Sequence, residues 1–196
     1  DPGSVDAMIA ASRETGKVLA EAFMYRHHPQ TLKVKELVDN GALGKLQLIK
    51  GAFTFTLTRE GNFRHVKEMG GGSIWDVGCY PISYARSVIG EDPLEVFGWQ
   101  VTGESGIDET FVGQMRFDYD IHAQFDCSFI TPFHVFMEIV GSEATLNIPQ
   151  PFTPRMGEKI YLTRGDKTEV IRIKGQELYI GEVEDMADAN LLGRDT

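Results

Sequence analysis

The chain has 196 residues, with 19 basic and 29 acidic side chains and a formal net charge of −10. That length supplies one ordinary domain, or one domain with part of another, and 42% hydrophobic residues supply a packed core rather than a disordered chain. The acidic balance argues against nucleic-acid and anionic-membrane surfaces, and no apolar run reaches the roughly 20 residues of a membrane helix.

Ser4 is placed to cap a helix that carries Val5, Met8 and Ile9 on one side and stops at Gly16. The pattern predicts a short apolar strand over residues 18–23 directly after it. A helix feeding such a strand is the second half of a β-α-β unit, yet no first strand precedes it. Residues 1–28 therefore read as the remnant of a doubly wound domain, and residues 29–196 as a second unit. No basic segment precedes an apolar stretch, so no secretory leader is expected.

A second helix is predicted from Pro29 to Asn40 and Gly41, with Leu32, Leu37 and Val38 as its buried stripe. A long strand is predicted over residues 46–58, where Phe53, Phe55 and Leu57 alternate with Thr54, Thr56 and Thr58. After a polar loop comes Gly70-Gly71-Gly72, and Ser73 is placed to cap a helix running toward Gly90. Pro81 inside that helix should weaken or kink it.

From residue 96 the chain reads mostly as strands, the first over residues 96–101. Residues 111–117 and 121–129 form a predicted hairpin around Asp118-Tyr119-Asp120. Phe111, Met115, Phe117, Ile121, Ala123, Phe125, Cys127 and Phe129 face one way; Gln114, Arg116, His122, Gln124, Asp126 and Ser128 face the other. Residues 135–140 pair with 144–148, and 160–163 with 169–173. An acidic helix begins near Gly181 and Glu182. The expected fold class is α+β: a predominantly antiparallel, open-faced sheet with helices on one face. The polar hairpin face lacks the many lysines and glutamates of a solvated surface and offers one candidate ion pair, Arg116 with Asp126. That mix predicts a homodimer formed through the open sheet face.

Asp76 and Tyr80, four residues apart, share one face of the predicted helix. A carboxylate beside a phenol is a proton-transfer pair once something lowers the tyrosine pKa. The glycine run permits close approach of a ligand or a backbone, and the helix start behind it favours an anion. The same spacing also fits a glycine-rich turn before an amphipathic helix with Tyr80 half-buried. A second concentration, residues 21–29, begins where open α/β sheets bind ligands. Its adjacent His27 and His28 do not share a face, so they read as capping or solvated histidines, and no metal is expected. His65, His122 and His134 are isolated. Cys79 and Cys127 make no disulfide framework and read as buried thiols of a reducing compartment, hence the cytoplasm.

Glu21-Ala22-Phe23-Met24-Tyr25-Arg26 with His28-Pro29, and Gly70-Gly71-Gly72 with Asp76-Val77-Gly78-Cys79-Tyr80-Pro81, resemble the Gfo/Idh/MocA family of NAD(P)-dependent oxidoreductases. The likeness is in particular to its xylose dehydrogenase and dimeric dihydrodiol dehydrogenase members. Residues 123–129 and 138–146 carry the same resemblance in the family's order. It implies an N-terminal Rossmann domain that binds the cofactor and a C-terminal α+β domain whose open sheet builds oligomers. It implies that Tyr80 is the acid–base residue, that Asp76 orients substrate, and that Arg26 and Tyr25 line the cofactor–substrate cleft. It implies hydride transfer between NAD or NADP and a sugar or cyclic diol, with a lysine of a Glu-Lys-Pro motif lowering the Tyr80 pKa. Neither that motif nor the glycine fingerprint occurs in these residues, and the C-terminus looks shortened. The expectation is a catalytic fragment of an oxidoreductase, inactive and without bound cofactor when alone. The other reading is a stand-alone binding or oligomerisation module that has lost the cofactor domain.

Overall fold

The computed structural model describes residues 2–58 and 61–192. Residues 59–60 of the expected polar loop, and residues 1 and 193–196 at the ends of the two expected units, lie outside the described residues. Helix α1, Pro2–Thr15, stops at Gly16, whose φ of +65° is the left-handed conformation that ends helices. The strand expected next does not form: residues 17–23 have no regular structure and Leu19 is exposed. A strand with no neighbour leaves its N–H and C=O groups unpaired, so apolar pattern alone cannot make one.

A 3₁₀ turn, Met24–His27, then carries Met24 and Tyr25 inward. Helix α2, Pro29–Asp39, opens on Pro29, and the ring Nδ1 of His28 accepts the Gln30 N–H at 3.1 Å. His28 is thus a capping histidine, and a fully buried one. In this helix phase Gln30, Thr31 and Val34 are buried, and Leu37 and Val38 pack on the core. Leu32, expected in the buried stripe, lies on the outer face at 57% exposure.

Eight strands follow among the described residues: β1 (Leu46–Thr54), β2 (Glu95–Thr102), β3 (Asp108–Arg116), β4 (His122–Ser128), β5 (His134–Gly141), β6 (Thr145–Ile148), β7 (Lys159–Arg164) and β8 (Lys167–Arg172). They form one sheet in the order β2-β3-β4-β1-β5-β6-β7-β8. The β1–β4 pair is parallel and the other neighbouring pairs are antiparallel. The strand predicted to residue 58 leaves the ladder at Thr54, although Phe55 and Leu57 still donate to the Ser128 and Phe129 carbonyls at 2.9 and 2.8 Å. The hairpin turns on Tyr119 and Asp120, both left-handed with φ of 56° and 58°. Arg116 pairs with Glu95 at 3.0 Å and not with Asp126, because the register sets Arg116 beside Glu95 and His122 while Asp126 lies opposite Val112.

Helix α3, Cys79–Ile89, lies across β1 on the face that carries the core. Gly51 makes that seat possible, since a Cβ there would stand 3.0 Å from Pro81 Cβ and 2.3 Å from Met137 Sδ. On the other face a row of side chains from Phe97 through Gln114, Gln124, Lys50 and Glu138 crosses the sheet. The sheet is therefore covered on one side and open on the other, as the expected α+β class requires. Helix α4, Ile180–Leu192, returns to the Met24–His27 turn, where Asp185 lies 3.8 Å from His27. No described helix is long and apolar enough to cross a membrane.

Phe152, in the loop after β6, is 1% exposed; it stacks on Phe53 at 5.2 Å and meets Tyr25 and Tyr80 edge-on at 5.8 and 5.6 Å. Phe152→Ala removes the centre of this aromatic cluster. It is expected to destabilise the protein by about 3–5 kcal/mol, read as a lower denaturation midpoint at unchanged m-value.

Candidate active site

The glycine run is consumed by its own loop. Gly70, Gly71 and Gly72 donate their N–H groups to the carbonyls of Lys67, Val66 and Arg64 at 3.0, 3.0 and 3.1 Å. Gly70 and Gly72 have φ of +75° and +130°, and a Cβ on Gly71 would stand 2.5 Å from the Arg64 carbonyl oxygen. Only glycine meets all of these demands together. The run serves the approach of another piece of backbone, one of the two uses its sequence allowed.

The helix expected to start at Ser73 begins instead as a π turn, Ile74–Gly78, that leads into α3. The Cys79 N–H reaches back to the Ile74 carbonyl. Pro81 has no N–H to reach the Asp76 carbonyl in the same wide register, and the Cys79 thiol supplies a bond to that oxygen at 3.6 Å. The predicted effect of Pro81 is thus a π turn. Ser73 has helical backbone angles and caps nothing. The turn is capped from β3: Asp108 Oδ2 accepts the Ile74 N–H and the Ser73 hydroxyl, both at 2.7 Å. The anion expected at this helix start is a side chain of the protein itself.

Asp76 projects from the π turn and binds the Arg64 Nε–H through Oδ2 at 2.6 Å. The Arg64 guanidinium in turn lies 4.7 Å over the Phe63 ring. Tyr80, in the first turn of α3, is half-buried, with its ring 5.4–5.7 Å from the rings of Phe23, Tyr25, Phe53 and Phe152. Burial pushes the Tyr80 phenol above its ordinary pKa, Cys79 and Asp76 push it further up, and Arg64 pulls it down. At neutral pH the phenol is a proton donor.

The four residues singled out in the sequence do not form one group. Asp76 and Tyr80 are electrostatically coupled, one on the π turn and one just beyond it. Tyr25 has no exposed surface; its hydroxyl donates to the Tyr80 carbonyl at 3.3 Å and its ring stacks on Tyr84. It supports Tyr80 from below and is not a cleft-lining residue, because a ring enclosed on every side reaches no ligand. Arg26 is exposed and lines a cleft of about 340 Å³ with Ser83, Arg86 and Asp92; that lining does not include Asp76 or Tyr80. Cys127 is buried as expected, whereas Cys79 is half-buried, with its thiol pushed up to about 11 first by burial. Arg64 and Asp108 were not identifiable from sequence. Each meets the site across a turn or from another strand, and Asp108 stands 35 residues from Ser73.

A family model described as the GFO/IDH/MocA C-terminal domain matches residues 31–147. A dTDP-3,4-didehydro-2,6-dideoxy-alpha-D-glucose 3-reductase from Actinomadura kijaniata is 27% identical over 197 residues, covering 98% of this chain and 59% of that protein. D-xylose 1-dehydrogenase (NADP(+)) 2 from Haloferax volcanii is 33% identical over 141 residues, covering 71% of this chain and 43% of that protein. The chain thus spans about half the length of the curated relatives it matches. Among solved structures, a 3-ketoreductase from Actinomadura kijaniata in complex with NADP and TDP-benzene superposes with a TM-score of 0.93 at 24% identity, covering 100% of this chain and 61% of that one.

The Asp76–Tyr80 coupling has a measurable sign. A carboxylate disfavours the phenolate, so removing its charge lowers the phenol pKa, and the Arg64 charge released from its partner acts in the same direction. In Asp76→Asn, Tyr80 is expected to ionise at lower pH than in the parent. Titration of ¹³Cζ-tyrosine signals, with Tyr80→Phe for assignment, reads this directly; an unmoved titration means the two groups are uncoupled.

Proposed function

Because the chain belongs to the GFO/IDH/MocA family, by the match of the C-terminal-domain model to residues 31–147, we propose that it is the substrate-binding and acid–base part of an NAD(P)-dependent oxidoreductase. The substrate class is a hydroxyl or keto group of a sugar or cyclic diol. The observation that carries this reading is the half-buried Tyr80 phenol, caged by aromatic rings just beyond the π turn on which Arg64 holds Asp76. The relatives that support it include a dTDP-sugar 3-reductase and an NADP(+)-using D-xylose dehydrogenase.

Tyr80 and Asp76 are the residues that would serve the reacting end of a nicotinamide cofactor, whereas the glycine run and the helix start behind it offer its phosphates no free N–H. The N–H groups of Gly70, Gly71 and Gly72 all donate within their loop, and Asp108 occupies the Ile74 N–H. The cofactor, when bound, exchanges a hydride with the substrate carbon. Tyr80 gives its proton to the carbonyl oxygen in the reducing direction. In the oxidising direction it takes the hydroxyl proton, which requires a nearby cation to outweigh the burial that raises its pKa, the direction in which Arg64 already acts. Asp76 accepts a substrate hydroxyl through the oxygen that Arg64 leaves free, which orients the reacting carbon.

The same reading includes self-association through the open sheet face. That face is less polar than the sequence suggested: Phe97, Trp99, Val101 and Val112 on β2 and β3 are exposed beside the expected Gln114 and Gln124. Phe97 and Trp99 meet edge to face at 4.3 Å, a rigid aromatic patch of the kind that anchors interfaces. Homo-oligomers are most often two-fold, so the assembly is a dimer. Trp99→Asp is expected to convert that dimer to monomer in sedimentation analysis; a dimer that survives the substitution excludes this face.

The catalytic role of Tyr80 is tested in the full-length gene product with aldose and diol substrates. Tyr80→Phe keeps the ring in its cage and deletes the hydroxyl. It is expected to lower kcat about 10²–10⁴-fold, with cofactor affinity and melting point little changed. Near-parental turnover with a lowered melting point makes Tyr80 a structural residue.

A further inference from the structure

We infer that Asp108 is the positioning residue of this site: it holds the π turn in the register that aims Asp76 and Tyr80. The inference rests on the proposed role of Tyr80. Its basis is a carboxylate that is 8% exposed and, among the described residues, makes no salt bridge. Oδ2 accepts the Ile74 N–H and the Ser73 hydroxyl at 2.7 Å each. Oδ1 lies against the Gly72 α-carbon, where a Cβ would come within 2.2 Å. Ser73 Oγ also lies 3.4 Å from the fully buried Cys127 Sγ on β4. Burying an anion is costly unless charge-assisted hydrogen bonds compensate, and here each bond lands on the first residues of the turn.

The opposite side of the turn is held by the loop before it. Gly71 and Gly72 donate to the Val66 and Arg64 carbonyls, and the Arg64 side chain holds Asp76. The turn is therefore clamped between the start of β3 and the Arg64–Val66 loop. Releasing the β3 clamp lets the start of the turn move, and with it Asp76 and Tyr80. Asp108 touches no reacting atom, so its effect passes entirely through Ile74 and Ser73.

The test uses the full-length gene product and reads amide hydrogen exchange over residues 73–78 together with kcat and KM. Asp108→Ala is expected to speed exchange of the Ile74 amide roughly ten- to hundredfold, the loss of a charge-assisted bond. It should lower kcat roughly ten- to hundredfold while cofactor affinity holds. Asp108→Asn, which keeps one acceptor, should recover most of both losses. Unchanged exchange in Asp108→Ala overturns the inference, as does faster exchange with unchanged kcat. If Asp108→Ala does not fold, Ser73→Ala carries the test with a smaller change in the same two readouts; no change in either overturns it. Exchange separates this inference from the reading beneath it: if Tyr80→Phe retains full turnover, the catalytic reading fails while the clamp stands or falls on exchange alone.

Discussion

The seat of α3 on the centre of the sheet governs the rest of the molecule. β1 lies between β4 and β5, and Gly51 at its middle leaves room for Pro81 and Met137. A Cβ at residue 51 would force the Met137 thioether aside from 2.3 Å and press on Pro81 Cβ at 3.0 Å, so a side chain there crowds the helix seat. Pro81, pressed into that space, lacks the N–H that a regular helix would use, and the turn before it widens to a π register. One absent side chain and one absent donor thus set where Asp76 and Tyr80 stand.

The widened turn needs support because its orphan groups are partly buried. Support arrives from three separate parts of the chain: the Arg64 and Val66 carbonyls, the Asp108 carboxylate and the Cys79 thiol. Together they satisfy the Gly71, Gly72 and Ile74 N–H groups, the Ser73 hydroxyl and the Asp76 carbonyl. Local π turns and strained glycine conformations concentrate where function needs an unusual backbone, and this one carries Asp76 and leads into Tyr80, the pair proposed above to act on substrate. The aromatic cage adds rigidity without adding charge. Tyr80 rests against four rings, and the buried Tyr25 hydroxyl binds its carbonyl. Burial that holds the ring also raises the phenol pKa, so the phenol stays protonated at neutral pH.

The open face is the other consequence of covering the sheet on one side only. Lys50 and Glu138 neutralise each other across neighbouring strands at 2.7 Å. Phe97 and Trp99 leave an apolar patch at the far end of the same row, beyond Gln114 and Gln124, on an edge strand exposed on both sides. That exposure is the physical reason behind the self-association proposed above.

Several features were decided by the sequence itself because they are local. Alternation at period two placed the β3–β4 hairpin and sorted Met115, Ala123 and Phe125 inward from Gln114 and Gln124 outward. Gly16 and Gly90 ended their helices because left-handed backbone excludes most side chains. His28 capped α2 because a ring nitrogen two residues before a free N–H needs no distant help. The family-like motif at Gly70–Gly72 and Asp76–Pro81 was equally legible, and the chain belongs to that family. What sequence could not decide was every pairing across space. Residues 18–23 have a strand's composition, but among the described residues no strand pairs with them. Arg116 chose Glu95 over Asp126 because strand register set the distance. Tyr25 went into the core and Ser73 gave up its cap to Asp108, since both outcomes depend on which elements pack together. Propensity and periodicity act within a few residues, whereas hydrogen-bond partners and burial are settled only when the chain closes on itself.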